Sequence, residues 1–313
     1  MKKWTILVLV IVISISLIGC GNNQNVKRDS GKLNVVTTTT ILADIVKNIG
    51  GDKLEVEALM GPGIDPHLYK ASAGDVQKMI NADFIIFNGL HLEGKMSDVF
   101  EKLNKSDVKT IAAADVLDNS KLIESEEFEG NYDPHIWFDV KLWMEIVDVI
   151  KDNLIELDSE NKDIYISNSE KYKDELKKLD EYVISRAKEL PDDKRILITA
   201  HDAFSYFGRA YGLQVKGLQG ISTAAEAGTL DVKELADFIS EKEIPAIFIE
   251  SSVPTKNIEA LQAAVKDRGF NVEIGGELFS DSLGDPGTEE GTYIGTVKFN
   301  IDTIVDALLK GVN

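Results

Sequence analysis

Apolar positions recur along this chain with two alternating periods, one typical of strands and the other of helices. Residues 33–39 are rich in β-branched side chains and predict a strand. Residues 41–49 carry apolar side chains at helical spacing, and Gly50 and Gly51 end the predicted helix. Residues 54–59 predict a second strand. Because strands and helices alternate, we predict an α/β fold built on parallel sheets.

The same alternation continues towards the C-terminus. It predicts further helices over residues 73–81, 96–103, 143–157, 203–211, 232–241, 258–268 and 292–309, and further strands over 84–87, 108–111, 195–199, 246–249 and 272–274. No Gly or Pro interrupts residues 162–189, which predict one helix about 42 Å long. Leu176, Leu179, Val183 and Ala187 form its apolar stripe. We expect this helix to connect two lobes.

The N-terminal residues have the features of a secretory signal. Lys2 and Lys3 give a charged start, and residues 5–18 are almost entirely apolar. This run is shorter than the roughly 20 apolar residues that a transmembrane helix needs. A small residue, Gly19, stands at the expected cleavage site, so residues 1–19 are predicted to be removed.

Cys20 is the only cysteine, which excludes a disulfide within the chain. Leu17-Ile18-Gly19-Cys20 resembles the bacterial lipobox, which implies that Cys20 is lipidated and anchors the protein to a membrane. The alternative is an ordinary signal peptide with an incidental cysteine. Residues 20–32 are polar and lack apolar periodicity, so they predict a flexible tether.

Five segments follow from these patterns. They are a lipoprotein signal peptide (1–19), a lipid-anchored tether (20–32), an N-terminal lobe (33–160), a connecting helix (161–190) and a C-terminal lobe (191–313). The formal net charge of −19 disfavours binding to nucleic acid, whose phosphates such a surface repels. The same charge favours solubility and attracts cations.

Histidines carry the candidate chemistry. The chain has four of them, and three stand beside a carboxylate: Asp65-Pro66-His67, Asp133-Pro134-His135 and Ala200-His201-Asp202. Neutral imidazole is a common metal ligand, and a carboxylate usually fixes its second nitrogen. Asp-Pro is also ordinary turn chemistry, and a lone His beside Asp is often a surface hydrogen bond. The repetition in a histidine-poor chain favours a metal site.

The residues alone leave the rest of that site open. Ligands of open α/β sheets gather at the carboxyl ends of strands. A fourth ligand is therefore expected in the last loop of the C-terminal lobe, where Asp281 and Asp285 are both candidates. His91, the fourth histidine, is expected to support the structure or the ligands, with contact to the ion as the alternative.

Several motifs together resemble the cluster A-I metal-binding lipoproteins, the solute-binding components of manganese, zinc and iron ABC importers. The resemblance spans residues 33–309. It rests on Gly-Pro-Gly-x-Asp-Pro-His ending at His67, Asn88-Gly89-Leu90, Asp133-Pro134-His135-x-Trp137, Ala200-His201-x-Ala203-Phe204, Glu250-Ser251-Ser252 and Phe279-Ser280-Asp281-Ser282. It implies two α/β lobes joined by one rigid helix.

The resemblance also implies the site. By position in the motifs the ligands are His67, His135, His201 and Asp281, with Asp281 rather than Asp285 as the carboxylate. Glu250 is implied to hydrogen-bond a ligand histidine, with a capping role as its alternative. Asp65 and Asp133 are further candidates to support the ligands.

The implied function is capture of a divalent transition metal outside the cytoplasmic membrane and its delivery to an ABC permease with its ATPase. The protein is expected to act as a monomer. Residues 119–131 lack the histidines that often mark zinc-dedicated members, whereas many manganese-dedicated members carry Glu at the position of His201. On balance we favour manganese over zinc, with iron as a further candidate.

Two other functions are the alternatives. A membrane-tethered zinc hydrolase requires an open coordination position, and no His-Glu-x-x-His run is present. A surface adhesin does not require the metal ligands.

The metal site also predicts a pH dependence. Because the ligands must be neutral imidazoles, we expect the affinity for metal to fall as the pH drops through about 6 to 7.

Overall fold

A four-stranded parallel sheet forms the N-terminal half of the computed structural model, which describes residues 31–103, 105, 108–125 and 130–310. Its strands are β1 (Leu33–Thr37), β2 (Leu54–Ala58), β3 (Phe84–Phe87) and β4 (Lys109–Ala112). Their spatial order is β2-β1-β3-β4. Val35, Val36, Ile85 and Ile86 are all fully buried, because helices cover both faces of the sheet. Cys20 and the predicted signal peptide lie outside the described residues.

The C-terminal half contains two parallel strand pairs. Its strands are β5 (Ile196–His201), β6 (Gln214–Gln219), β7 (Ala246–Glu250) and β8 (Glu273–Leu278). β5 pairs with β6, β7 pairs with β8, and β5 lies beside β7. His201 is opposite Gln219 in the first pair, and Glu250 is opposite Leu278 in the second. The ends of β5 and β7 therefore bring His201 and Glu250 together.

Nine α-helices are found among the described residues. They are α1 (Thr40–Gly50), α2 (Ala73–Ile80), α3 (Ser97–Leu103), α4 (Val140–Leu157), α5 (Lys162–Ala187), α6 (Ser205–Tyr211), α7 (Thr229–Lys242), α8 (Lys256–Lys266) and α9 (Tyr293–Leu309). Short 3-10 helices cover Gly51–Lys53, Gly94–Met96, Ala114–Val116, Asn119–Lys121, Ile136–Phe138, Ser159–Asn161 and Asp192–Lys194. No helix in the described part of the chain has the length and apolar character needed to cross a membrane.

Helix α5 joins the two halves, as the uninterrupted sequence predicted. It ends at Ala187, two residues before the predicted end. Its predicted stripe is buried, with Leu176 and Val183 fully so. The helix packs against α1 and α4 from the N-terminal half and against α9 from the C-terminal half. The predicted fold class, two lobes with parallel sheets joined by a long helix, is confirmed.

One hydrophobic cluster extends through both halves. It includes Val35 and Ile45 from the N-terminal half and Leu197, Phe248 and Ile304 from the C-terminal half, all fully buried. Since close-packed interiors transmit strain and resist deformation, a shared core opposes large relative movement of the lobes.

The structure differs from the predicted elements at several places. Strand β6 was not predicted, because Lys216 and Gly217 interrupt its apolar pattern. Gly217 is needed there, since a Cβ atom would lie 2.4 Å from the backbone nitrogen of Asp202. His201 ends strand β5 rather than following it, because its backbone still pairs with β6. Helix α4 begins at Val140, three residues before its predicted start. The Asp139 carboxylate caps this end of the helix by accepting hydrogen bonds from the backbone nitrogens of the first turn.

Candidate metal centre

Four side chains that are distant in sequence converge between the two halves. His67 lies in the loop after β2, and His135 immediately precedes the 3-10 helix Ile136–Phe138. His201 ends β5, and Asp281 follows β8. One nitrogen or oxygen atom from each residue lies within 4.8 Å of the others. Three of these side chains are at most 1% exposed, and His67 is 5% exposed.

The separations within this cluster match those of ligands around one ion. His67 Nε2 lies 3.3 Å from His135 Nε2. Asp281 Oδ1 lies 3.5 Å from His135 Nε2, and Asp281 Oδ2 lies 3.5 Å from His201 Nε2. Four nitrogen or oxygen ligands about 2.1 Å from a tetrahedral ion are about 3.4 Å apart. The donor atoms are therefore already arranged for coordination.

Asp133 orients the imidazole of His135. Its Oδ1 accepts a hydrogen bond from the His135 backbone nitrogen at 2.9 Å and lies 2.7 Å from Nδ1 of the same residue. A carboxylate oxygen can only accept, so Nδ1 carries a proton and Nε2 is directed into the cluster. The Asp133 backbone carbonyl in turn accepts from the Tyr206 hydroxyl at 2.9 Å. This is the carboxylate–histidine arrangement found at metal sites.

Glu250 performs the same task for His201. Its Oε1 accepts a hydrogen bond from the His201 backbone nitrogen at 2.9 Å, and its Oε2 lies 2.5 Å from His201 Nδ1. Glu250 is 2% exposed. The hydrogen bond that the motif implied is therefore present, and it fixes His201 with Nε2 pointing towards Asp281.

The Asp281 carboxylate is supported by hydroxyl groups. Ser252 Oγ donates to Asp281 Oδ2 at 3.1 Å and lies 3.0 Å from Ser280 Oγ. The backbone carbonyl of Ser280 accepts from Trp137 Nε1 at 2.9 Å, across 143 positions of sequence. Trp137 thereby ties the loop of His135 to the loop of Asp281.

His67 is held differently from the other two histidines. The Asp65 carboxylate accepts from the His67 backbone nitrogen at 2.8 Å rather than contacting the ring. Its other oxygen accepts from the Thr223 hydroxyl at 2.6 Å, which crosses to the C-terminal half. Gly63 in the same loop donates its backbone N–H to Ser282 Oγ at 2.8 Å. Asp65 thus positions the loop that carries His67.

Charge in the site is strongly polarised. Burial lowers the pKa of His67 to about 3, and the neighbouring histidines add to this effect. Burial also disfavours charge on His135, but the Asp133 and Asp281 carboxylates outweigh it and raise its pKa to about 9. Burial likewise opposes ionisation of Asp281, yet the adjacent His201 and His135 hold its pKa well below its usual range. The histidines and the carboxylate stabilise one another's charges.

Two atoms at the centre of the cluster are buried without a hydrogen-bond partner among the described residues. They are His201 Nε2 and Asp281 Oδ1. Leaving a buried polar atom unpaired typically costs about 1–3 kcal/mol, more when it is charged. Such groups require an explanation, and a coordinated cation supplies one because it interacts with both atoms.

The structure separates the candidates that the residues alone left open. Asp281 lies in the cluster, whereas Asp285 is exposed. His91 is also exposed and is not a member of the four-residue cluster. The supporting contacts from Tyr206, Trp137 and Thr223 were not predicted, because nothing in the local sequence of each residue indicates its distant partner.

Known proteins resemble the chain along most of its length. Residues 35–307 match the family described as ZnuA, zinc-uptake complex component A, periplasmic. The zinc-binding protein TroA of Treponema pallidum is 53% identical over 280 residues, 90% of each chain. A solved structure of TroA superimposes with a TM-score of 0.87 at 52% identity, covering 89% of this chain and 99% of that one.

Two further relatives carry manganese in their names. The manganese-binding lipoprotein MntA of Bacillus subtilis is 44% identical over 299 residues, 96% of this chain and 97% of the relative. The manganese ABC transporter substrate-binding lipoprotein PsaA of Streptococcus pneumoniae is 33% identical over 315 residues, 99% and 100% of the two chains. The resemblance drawn from the motifs is thereby confirmed. The chain belongs to the ZnuA family of metal-binding substrate-binding proteins, which are transport components and not enzymes.

Proposed function

We propose that this protein captures one divalent transition metal ion between its two lobes and delivers it to an ABC permease. His67, His135, His201 and Asp281 are the ligands. The observation that carries this proposal is that His201 Nε2 and Asp281 Oδ1 are both buried without a hydrogen-bond partner among the described residues. A bound cation would interact with both atoms. Matched donor separations of 3.3 and 3.5 Å support it.

The ion is zinc or manganese. Three imidazoles and one carboxylate suit both metals, and the two carboxylate oxygens of Asp281 face different histidines. If both oxygens bind, the ion is five-coordinate. The names of relatives support both metals, since TroA is a zinc-binding protein and MntA a manganese-binding one. Zinc should bind more tightly to such a site, so selection of manganese depends on which metal is available.

The protein acts on the extracytoplasmic side of the membrane, at the cell surface or in the periplasm, anchored by lipid on Cys20. Relatives named as lipoproteins and as ABC transporter components support this placement and the permease with its ATPase as partner. The two lobes comprise residues 33–160 and 191–313, and the protein works as a monomer. Any adhesion would be secondary, because the buried ligand cluster has no role in it.

Metal content tests the proposal. The purified protein is stripped with a chelator, equilibrated with zinc or manganese, and analysed for bound metal. We expect one ion per chain, and we expect His201→Ala to lose it or bind it much more weakly. Asp285→Ala is the matched control and should retain the ion, because Asp285 is exposed outside the cluster. A wild-type chain that holds no stoichiometric ion would overturn the proposal.

A further inference from the structure

A cavity of about 380 Å³ opens beside the metal centre. Residues of both halves line it, including His67, His91, Lys95, Asn131, Tyr132 and Ser222. His67 is the one proposed ligand among the described residues of its lining. It is also the most exposed of the four, at 5%, against at most 1% for the others. Among the four proposed ligands, His67 is therefore the residue that connects the cluster with this cavity.

His91 stands in this cavity on an unusual backbone. Gly89, Leu90 and His91 have φ values of +86°, +51° and +64° in succession. A left-handed conformation is unfavourable for a residue other than glycine, because its Cβ atom approaches the following carbonyl oxygen too closely. The buried Glu93 carboxylate stabilises this segment by accepting from the backbone nitrogens of Asn88 at 2.8 Å and Gly89 at 3.3 Å.

A second carboxylate holds the same segment. Asp115 Oδ1 accepts a hydrogen bond from the backbone nitrogen of Leu90 at 3.0 Å. The side chain of Asn88 also donates to the carbonyl of Pro134, the residue before His135, at 3.0 Å. The segment that carries His91 is thus tied to the loop of a ligand, and the strained backbone places an exposed imidazole in the cavity of His67.

The cavity has room for an ion that still carries water. Six water molecules at about 30 Å³ each occupy about 180 Å³, less than half of the available volume. Neutral imidazole binds zinc, manganese and iron ions, and an exposed side chain binds such an ion without first losing buried contacts. Lys95 lines the same cavity and repels cations.

We infer that His91 is a transient ligand on the access path of the metal. It binds the incoming divalent ion through an imidazole nitrogen, displacing part of the hydration shell, and passes the ion to His67 Nε2. No bond other than metal coordination forms or breaks. This inference rests on the proposed metal site and adds the route by which the ion reaches it.

A residue that acts on the path and is absent from the final ligand set has a distinctive kinetic effect. It lowers the barrier in both directions equally, so it changes the association and dissociation rate constants by one factor. The equilibrium dissociation constant stays the same. A residue that ligates the bound ion, or that merely stabilises the site, changes the equilibrium constant instead.

Stopped-flow binding of zinc and manganese to the metal-free full-length protein tests this inference. The fluorescence of Trp137, whose ring centroid lies 5.2 Å from that of His135, reports occupancy of the site. Chelator competition gives the equilibrium constant. The variants are His91→Gly, which relieves the left-handed backbone, and His91→Asn, which tolerates it. We expect both rate constants to fall roughly 3- to 10-fold, within the range seen among mutants of one binding site.

Lys95→Ala provides an independent variant, and it should increase the association rate because it removes a repelling charge from the path. Lys194→Ala is its matched control, since Lys194 lines a different cavity, and it should have no effect. Unchanged rates in both His91 variants would overturn the inference, as would a weaker equilibrium constant with an unchanged association rate. If the wild type binds no metal, the proposed function itself fails, which is a distinguishable result.

Discussion

Glu250 contacts His201 at two points, the backbone nitrogen and the ring. The two carboxylate oxygens lie 2.9 Å from His201 N and 2.5 Å from His201 Nδ1. Because the backbone contact fixes the end of β5 and the ring contact fixes the imidazole, one carboxylate determines the position and the orientation of a proposed ligand. His135 receives the same pair of contacts from Asp133, whereas His67 receives the backbone contact from Asp65 without the ring contact.

Removing the Glu250 carboxylate should weaken metal binding. In Glu250→Ala, His201 loses the acceptor of its Nδ1–H, so nothing holds the ring with Nε2 directed towards the metal position. Loss of such a partner typically lowers metal affinity about 10- to 100-fold. We expect a change of that size in the equilibrium constant for zinc, measured by chelator competition.

Glu259→Ala is the matched control for this prediction. Glu259 is an exposed glutamate in α8, and its loss should leave metal affinity unchanged. Equal affinities of the Glu250→Ala variant and the wild type would show that Glu250 does not orient the ligand.

Metal binding should release protons. Asp133 and Asp281 raise the pKa of His135 to about 9, and Glu250 and Asp281 raise that of His201 well above its usual value, in both cases against the effect of burial. In the metal-free protein both raised pKa values add stability that is complete below about pH 6.5 and is lost as the pH rises through them. The metal must displace a proton from each Nε2, so affinity falls as the pH falls below about 9.

Calorimetry at pH 7 in buffers of different ionisation enthalpy measures this release. We expect about two protons per ion, one each from His135 and His201, and none from His67, whose pKa is lowered to about 3. The sequence alone placed this dependence at about pH 6 to 7, because it showed no partner charges on the rings. An affinity that is constant between pH 6 and pH 8 would contradict the prediction.

The three histidines among the proposed ligands were predictable from local patterns, whereas the residues alone did not decide between Asp281 and Asp285. Asp-Pro-His occurs twice, and His201 comes soon after the apolar run Ile196-Leu197-Ile198. The contacts that orient the proposed ligands could not be predicted as well from the sequence. Ser252 reaches Asp281 across 29 positions and Tyr206 reaches Asp133 across 73, and no periodic pattern encodes such pairs. Only folding brings these residues together.

The fold shows the same division. Helix α5 was predictable because no Gly or Pro interrupts its run of helix-forming residues. The helix starts at Lys162, as predicted. Strand β8 was predicted too short, since Gly275 and Gly276 lie inside it. Neither glycine has room for a side chain, because a Cβ atom would lie 2.8 Å from Ala307 Cβ or 2.7 Å from Thr303 Cγ2 of α9. The close approach of α9 requires these two glycines. Because they interrupt the apolar pattern, the full length of the strand cannot be predicted from the sequence.

Helix α5 should contribute to stability through its buried stripe rather than its surface charges. Leu176 is fully buried, and Leu176→Ala should lower the free energy of unfolding by about 2–5 kcal/mol. Arg186 contacts Asp302 and Asp306 of α9, but these carboxylates are 40% and 67% exposed. Arg186→Ala should therefore cost about 1 kcal/mol or less. Urea denaturation of the metal-free variants measures both changes in the free energy of unfolding. A larger loss in Arg186→Ala than in Leu176→Ala would contradict the prediction.

Removal of the metal should lower the thermal stability of the protein. An ion that binds the folded chain at 100 times its dissociation constant adds about 2.7 kcal/mol to the free energy of unfolding. For a folded chain of about 280 residues that corresponds to a shift of about 4–5 °C in the melting temperature. Calorimetry with zinc and after chelation should give this difference for the wild type and for Asp285→Ala. Asp281→Ala should show little or no shift, because it lacks the carboxylate whose two oxygens face His135 and His201. A shift that survives in Asp281→Ala and disappears in Asp285→Ala would assign the fourth ligand to the other aspartate.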